Sequence, residues 1–315
     1  MKPRIARVAW VFAGLTLIGL GGCNPSGKDV DRDWSLGKDV RAGTTDEWRA
    51  IQTRQAGRLD ALSRFSSAGT LVVRFEDEEG QARTERLNHR LWRVAPDKAA
   101  LRLSVGGVTG ARLGWHGDRW WMLDEMPDRP ELRVVDLEAD TPRSNGGDEM
   151  LAPPTLMAAI GLMPFPQEIP ADFVVAGDHA RFTLESIRWQ EAEGGLFTPR
   201  PVRIVVGDPA DGPTRIEFLD AEDGVVAVAK LGRFDSVETL GLPPGAWPNL
   251  AHRIEVESSR VRRGSWVATF DQPLAQGRIS GRLFELDALI ERSDPLILEP
   301  VGSPTLPVFL SEDGS

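Results

Sequence analysis

One thiol and four imidazoles are the side chains of this 315-residue sequence best suited to nucleophilic or metal chemistry, and their spacing organises neither. Cys23 is the sole cysteine, which excludes an intrachain disulfide and a thiolate pair for a metal. His89, His116, His179 and His252 are scattered, with no two at metal-ligand spacing. No Gly-x-Ser-x-Gly elbow occurs. Gly106-Gly107-Val108-Thr109-Gly110 matches neither a dinucleotide fingerprint nor a phosphate loop and reads as a bend or bulge in a strand. Glu76-Asp77-Glu78-Glu79 falls on a predicted turn, and Asp208-Pro209-Ala210-Asp211-Gly212 lacks the spacing of a calcium loop and reads as a hairpin turn. The expectation is a protein without catalysis, without a metal and without a cofactor.

The position of Cys23 carries more than its reactivity does. Lys2, Arg4 and Arg7 precede an apolar run from Val8 to Leu20, which closes on Leu20-Gly21-Gly22-Cys23. A basic start, a short apolar centre and small residues before a cut describe an export signal over residues 1–22. Two other readings are an ordinary signal with an incidental cysteine and a membrane helix, for which the run falls short of the ~20 residues needed. Losing residues 1–22 removes three of 37 basic residues and none of 47 acidic ones, so the net charge moves from −10 to −13. That balance opposes binding to nucleic acid or to anionic lipid surfaces. Residues 23–43 are polar and Gly-rich and read as a flexible tether, spanning roughly 25 Å on average.

The body, residues 44–290, opens on a helix signal. Thr44 with Glu47 has capping-box spacing, and Trp48, Ile51, Leu59, Leu62 and Phe65 fall near one helical stripe, with Arg49, Arg54, Arg58 and Asp60 elsewhere. The period then changes to two. Leu71, Val73 and Phe75 alternate with Val72, Arg74 and Glu76, and the same rhythm continues through Leu87 to Trp92, Leu101 to Val105, Leu113 to Trp115, a Gly117-Asp118 turn, Trp120 to Leu123 and Leu132 to Leu137. Ala152 to Leu162 reads as one short apolar helix, started by proline and stopped by Gly161. A second block of strands follows: Arg181 to Trp189, Val202 to Val206, Arg215 to Leu219, Val225 to Phe234, Arg253 to Glu257, Trp266 to Phe270 and a further one at Leu283 to Leu286. Short turns without crossover helices predict an antiparallel sheet, and residues 291–315 an extended tail.

Leu20-Gly21-Gly22-Cys23 resembles the lipobox of bacterial lipoproteins, which implies a diacylglyceryl group on Cys23 as membrane anchor. Asn24 in place of aspartate is compatible with the outer membrane. The element order, with Leu62-Ser63-Arg64-Phe65-Ser66-Ser67-Ala68-Gly69-Thr70-Leu71-Val72-Val73, Leu101-Arg102-Leu103-Ser104-Val105-Gly106-Gly107 and Gly114-Trp115-His116-Gly117-Asp118-Arg119-Trp120-Trp121, resembles the LolA/LolB superfamily over Asp46 to Phe234. The resemblance implies an α+β, mostly β fold: a curved antiparallel sheet, an incomplete barrel plugged by helices, whose concavity takes up acyl chains. Leu71, Val73, Phe75, Leu101, Leu103, Trp115 and Trp121 are the expected inner-face lining. They either hold a lipid tail, at ~0.8 kcal/mol per buried CH₂, or pack fully against the chain's own helices. The competing reading is a structural or assembly lipoprotein that contacts an envelope partner through a sheet face or edge.

Overall fold

The computed structural model describes residues 39–76, 81–136, 153–188, 197–198, 201–207, 212–220, 222–258, 264–275 and 278–298. Strand β1 (Arg41–Ala42) precedes helix α1 (Thr45–Ala61). The first block of sheet is β2 (Arg64–Glu76), β3 (Ala82–Val94), β4 (Lys98–Val105), β5 (Val108–His116), β6 (Arg119–Asp124) and β7 (Glu131–Asp136). Helix α2 (Pro153–Ala159) separates it from β8 (Val174–Ala176), β9 (His179–Leu184), the small ribbon β10 (Ile187–Arg188) and β11 (Phe197–Thr198), β12 (Val202–Val206), β13 (Pro213–Leu219), β14 (Val225–Ser236), β15 (Glu238–Thr239), β16 (Asn249–Ser258) and β17 (Ser265–Ala275). Helix α3 (Leu286–Ser293) and β18 (Leu296–Leu298) complete the described chain.

All strands except the β10/β11 ribbon belong to one sheet, in the order β1-β8-β9-β12-β13-β14-β16-β17-β2-β3-β4-β5-β6-β7-β18, with β15 attached to β17. Neighbours pair antiparallel apart from β18 on β7 and β15 on β17. The second block thus returns to pair with the first, β17 on β2, while among the described residues the two outer ends stay unjoined. This is the expected mostly β, curved and unclosed sheet. Alternation gives it an apolar face that runs without interruption across both blocks. Phe182, Ile204, Ile216, Ala229, Val256, Trp266 and Val73 are successive cross-strand partners on β9, β12, β13, β14, β16, β17 and β2, and every one is buried.

Helix α1 starts where the capping box places it. Glu47 N–H donates to Thr44 Oγ1 at 3.3 Å, while Thr44 N–H donates to Glu47 Oε2 at 2.8 Å, satisfying two backbone-end donors reciprocally. Arg41 pairs with the same carboxylate, and these bonds to the ionised form pull Glu47 down to about 2. Helix α2 ends in a Schellman motif, with Leu162 N–H on Met157 O and Gly161 N–H on Ala158 O, and Gly161 supplies the left-handed residue at φ +74°. Gly106 and Gly107, at φ +57° and +86°, form the β4–β5 turn, and the register shift at Leu103/Ser104 lies beside it.

Three expectations are corrected. Leu283 to Leu286 does not form a strand; a 3₁₀ turn leads there into α3, whose Leu289 is buried against the sheet. The tether and tail boundaries fall inside the sheet, because Arg41–Ala42 pairs with β8 and Leu296–Leu298 with β7. Arg58, placed off the apolar stripe of α1, is on the buried face at 6% exposed. The 1–22 signal and Cys23 lie outside the described residues.

Candidate functional site

The concave face of β2–β5 is built in rows. Phe270, Gly69, His89, Leu103 and Ala111 are successive partners across β17, β2, β3, β4 and β5; the next row is Ser67, Leu91, Leu101, Leu113 and Met122, and the next Phe65, Arg93, Ala99, Trp115 and Trp120. Leu71, Val73, Leu101, Leu103 and Trp115 therefore share this face, and each is at most 5% exposed. Phe75 lies on β2, and its side chain is outside what is described. Trp121 is a correction. It occupies the opposite, convex face, lying over Gly114, and packs with Leu123, Leu132 and Leu289 of α3. Its neighbours Trp120 and Met122 are the ones that turn to the concave core.

Helix α2 and the turn after it fill the concavity. Leu156, Met157, Ala158, Ala159, Ile160, Leu162 and Met163 are all at most 4% exposed within the main core. At one end of this cover Trp48 of α1 meets Phe173 and Phe182 edge-on, with ring centroids 5.3 and 4.9 Å away, and stacks on Phe165 at 6.2 Å. Such pairs add roughly 0.5–1.5 kcal/mol each beyond area burial.

What fixes the cover to α1 is polar. The stripe facing inward is Trp48, Ile51, Gln55, Arg58 and Leu62, so two polar side chains sit in apolar phase. Gln55 Nε2 donates to Gly161 O at 3.0 Å and Met163 O at 2.7 Å, and Arg58 Nη1 donates to Gly161 O at 2.9 Å and Gln55 Oε1 at 3.1 Å. Arg58 Nε reaches Asn249 O at 2.9 Å, and Gln52 Nε2 reaches Pro166 O at 3.0 Å. The physical reason lies just past the helix end: Gly161 stops α2 and Pro164 and Pro166 interrupt regular pairing, so the buried carbonyls of Gly161 and Met163 need donors from elsewhere.

Beside this latch lies a pocket of about 300 Å³, walled by Ile51, Ala61, Phe165, Val206, Leu242 and Pro248, with Arg54, Gln55 and Arg58 on its α1 side. The loop Thr239 to Pro248, without an ionisable residue, forms its outer lip, and Leu240 there is 85% exposed.

Two further buried polar groups face the concave core. His89 Nε2 donates to Thr269 O at 2.8 Å across Gly69, and its ring meets Phe270 edge-on at 5.1 Å. Among the described residues its Nδ1 has no hydrogen-bond partner, and burial pushes its pKa below the ordinary 6.5. Arg93 Nη1 donates to Leu62 O at 2.7 Å, a cation at the C-terminal end of α1, and burial lowers it to about 10. His116 and His179 are exposed, and His252 lies 3.9 Å from Asp235 and 3.8 Å from Asp271. Among the described residues no group of three or more His, Cys, Asp or Glu side chains could hold a metal, and no helix is long and apolar enough to cross a membrane.

An N-terminal helix, a curved block of strands, a buried mid-chain helix and a second block that returns to pair with the first decide the architecture. This is the mostly β, unclosed sheet with a buried helix that the LolA/LolB resemblance implies. No protein-family model and no curated protein matches the sequence. Among solved structures, a LolA superfamily protein from Nitrosomonas europaea aligns at 12% identity and a TM-score of 0.48, over 75% of this chain and 98% of that one. A DUF1329 family protein from Desulfovibrio piger aligns at 12% identity and 0.45, over 76% and 98%. A domain described as an outer membrane lipoprotein-sorting protein, from Vibrio parahaemolyticus, aligns at 12% and 0.43, over 76% and 96%. In this sheet the chain's own α2 occupies the hollow.

Proposed function

We propose that this chain is an envelope lipoprotein, anchored through acylated Cys23 on the periplasmic side of the outer membrane, that binds a lipophilic ligand without catalysis. The observation that carries the reading is the pocket of about 300 Å³ beside the α1 latch, apolar on six walls and contiguous through Ile51 and Phe165 with the covered concave face. That volume lies at the lower end of small-molecule sites. A longer acyl chain gains room as the α2 segment gives way. Exposing a large apolar side chain of that segment costs roughly 1.5–3 kcal/mol, and each acyl CH₂ entering in its place returns ~0.8 kcal/mol. The exchange is near balance, so Leu71, Val73, Leu101, Leu103 and Trp115 are the lining that a displaced α2 would hand to a ligand, and Phe75 is assigned with them from its place in β2.

The test is the full chain carrying Cys23→Ser, which removes the acyl group. It is expected to leave the detergent phase for the soluble or uncleaved fraction, and to co-purify with lipid or bind a fluorescent fatty acid. Unchanged detergent partitioning refutes the anchor. A protein empty by mass spectrometry that also fails to bind the probe refutes the ligand. A second reading, docking of an envelope protein, is favoured by the edge strand β18, where Leu296 and Ile297 are 44% and 58% exposed. It predicts capture of a protein partner that is lost in Ile297→Lys, with no lipid bound.

A further inference from the structure

We propose that the pocket beside α1 takes a single-chain amphiphile with an anionic head, its carboxylate or phosphate held at Arg54 and its chain along Ile51, Phe165 and Leu242. This rests on the lipophilic-ligand reading and names the ligand class for the same site. In a chain where acids outnumber bases by 47 to 37, the described residues lining this pocket include two arginines and no acid. Arg54 and Arg58 stand four residues apart on α1, a like-charge spacing that is unfavourable until an anion is present. Arg58 is turned inward onto the carbonyls of Gly161 and Asn249. Arg54 is exposed at the rim and makes no hydrogen bond or ion pair among the described residues; its neighbours one turn away are Ala50, Ile51, Gly57 and Arg58, so no carboxylate stands one turn from it on the helix.

A guanidinium at the rim of an apolar hollow matches a planar carboxylate or a phosphate in two parallel hydrogen bonds. The hollow behind it, at about 300 Å³, suits one chain better than two. The lip from Thr239 to Pro248 adds no charge that would compete for the head.

The experiment is displacement of a fluorescent fatty acid from the full chain carrying Cys23→Ser, by dodecanoate, dodecyl phosphate, dodecanol and dodecyltrimethylammonium. The two anions are expected to bind at least tenfold more tightly than the alcohol or the cation, and the tighter of the two identifies the head as carboxylate or phosphate. Arg54→Gln should weaken the anions five- to tenfold and leave dodecanol unchanged, with Arg54→Lys recovering part of the loss. Leu242→Asp should weaken all chains. Equal binding of dodecanol and dodecanoate overturns the anionic head while leaving lipophilic binding intact. Anion binding that is insensitive to Arg54→Gln overturns the assignment of Arg54. Failure of every chain to bind overturns both readings.

Discussion

Gly69→Ala should be among the most damaging single-methyl additions possible in this protein. Gly69 sits on β2 where the second block of sheet joins the first, opposite Phe270 and beside His89. A Cβ built there lies 1.8 Å from Thr269 O, 2.8 Å from Thr269 C and 2.9 Å from His89 Nε2. Side-chain rotation can relieve only the last of these. The carbonyl belongs to β17, so the methyl must push two paired strands apart at the seam. Overpacking of a core position costs ~1–3 kcal/mol. Losing the His89–Thr269 hydrogen bond strands two buried polar groups for a further ~1–3 kcal/mol. The sum, about 4 kcal/mol, is large against the stability of a domain. Urea unfolding of the full chain carrying Cys23→Ser gives the loss, and hydrogen exchange should locate it at the amides of Val267 to Phe270. Adding His89→Ala to Gly69→Ala should not rescue stability, because the backbone contact at 1.8 Å remains. A loss below about 1 kcal/mol, or full rescue by that second change, would refute the close seam. The opposite sign is expected at Gly57, in the middle of α1 with nothing within 4 Å of its added Cβ: Gly57→Ala should stabilise by up to ~1 kcal/mol through helix propensity and a less flexible unfolded chain.

Other outcomes follow from the same contacts. Gln55→Leu removes two donors to Gly161 and Met163 carbonyls and an acceptor from Arg58. It should cost about 2–4 kcal/mol and speed hydrogen exchange in α2; unchanged exchange there would show that the latch holds nothing. Thr44→Ala should cost ~1 kcal/mol by uncapping α1, read as a lower urea midpoint at unchanged slope. For His89, whose folded pKa lies below 6.5, the unfolded state takes up a proton that the folded state excludes. Stability from this group is therefore complete above pH about 6.5 and falls as pH drops from there toward the lowered value. His89→Gln should flatten urea midpoints over that window, and a wild-type profile already flat there would contradict the buried neutral imidazole.

Much of the scaffold was legible because local chemistry and tertiary demand agree. Thr44 and Glu47 could only cap a helix, Pro153 and Gly161 bracket α2, and the alternation from Leu71 to Trp115 predicted both the strands and their buried face. Trp121 was misread because Trp120-Trp121-Met122-Leu123 is apolar on both faces, and a period of two cannot choose between faces that are both greasy. The telling residue was Gly114, whose missing side chain leaves room for an indole on the convex side. Gln55 and Arg58 escaped notice because polar residues on an amphipathic helix read as solvent-facing. Their spacing from Trp48 and Ile51, continued to Leu62, was the available signal. Strands of two or three residues such as β1, β8 and β18 carry too few positions for any period; their pairing partners create them.

The joint between β17 and β2 also dictates when this molecule can become whole. Thr70 meets Thr269 across 199 positions of polypeptide, so almost the entire chain must be synthesised before its central pair of strands can zip. Until then the first block carries a bare edge on β2, a template for stray pairing with other nascent chains. Closure of so long a loop is slow compared with formation of the individual hairpins. The seam is therefore the last part of the sheet to form, and a helper that shields the β2 edge until then would raise the yield of native protein without touching the finished structure.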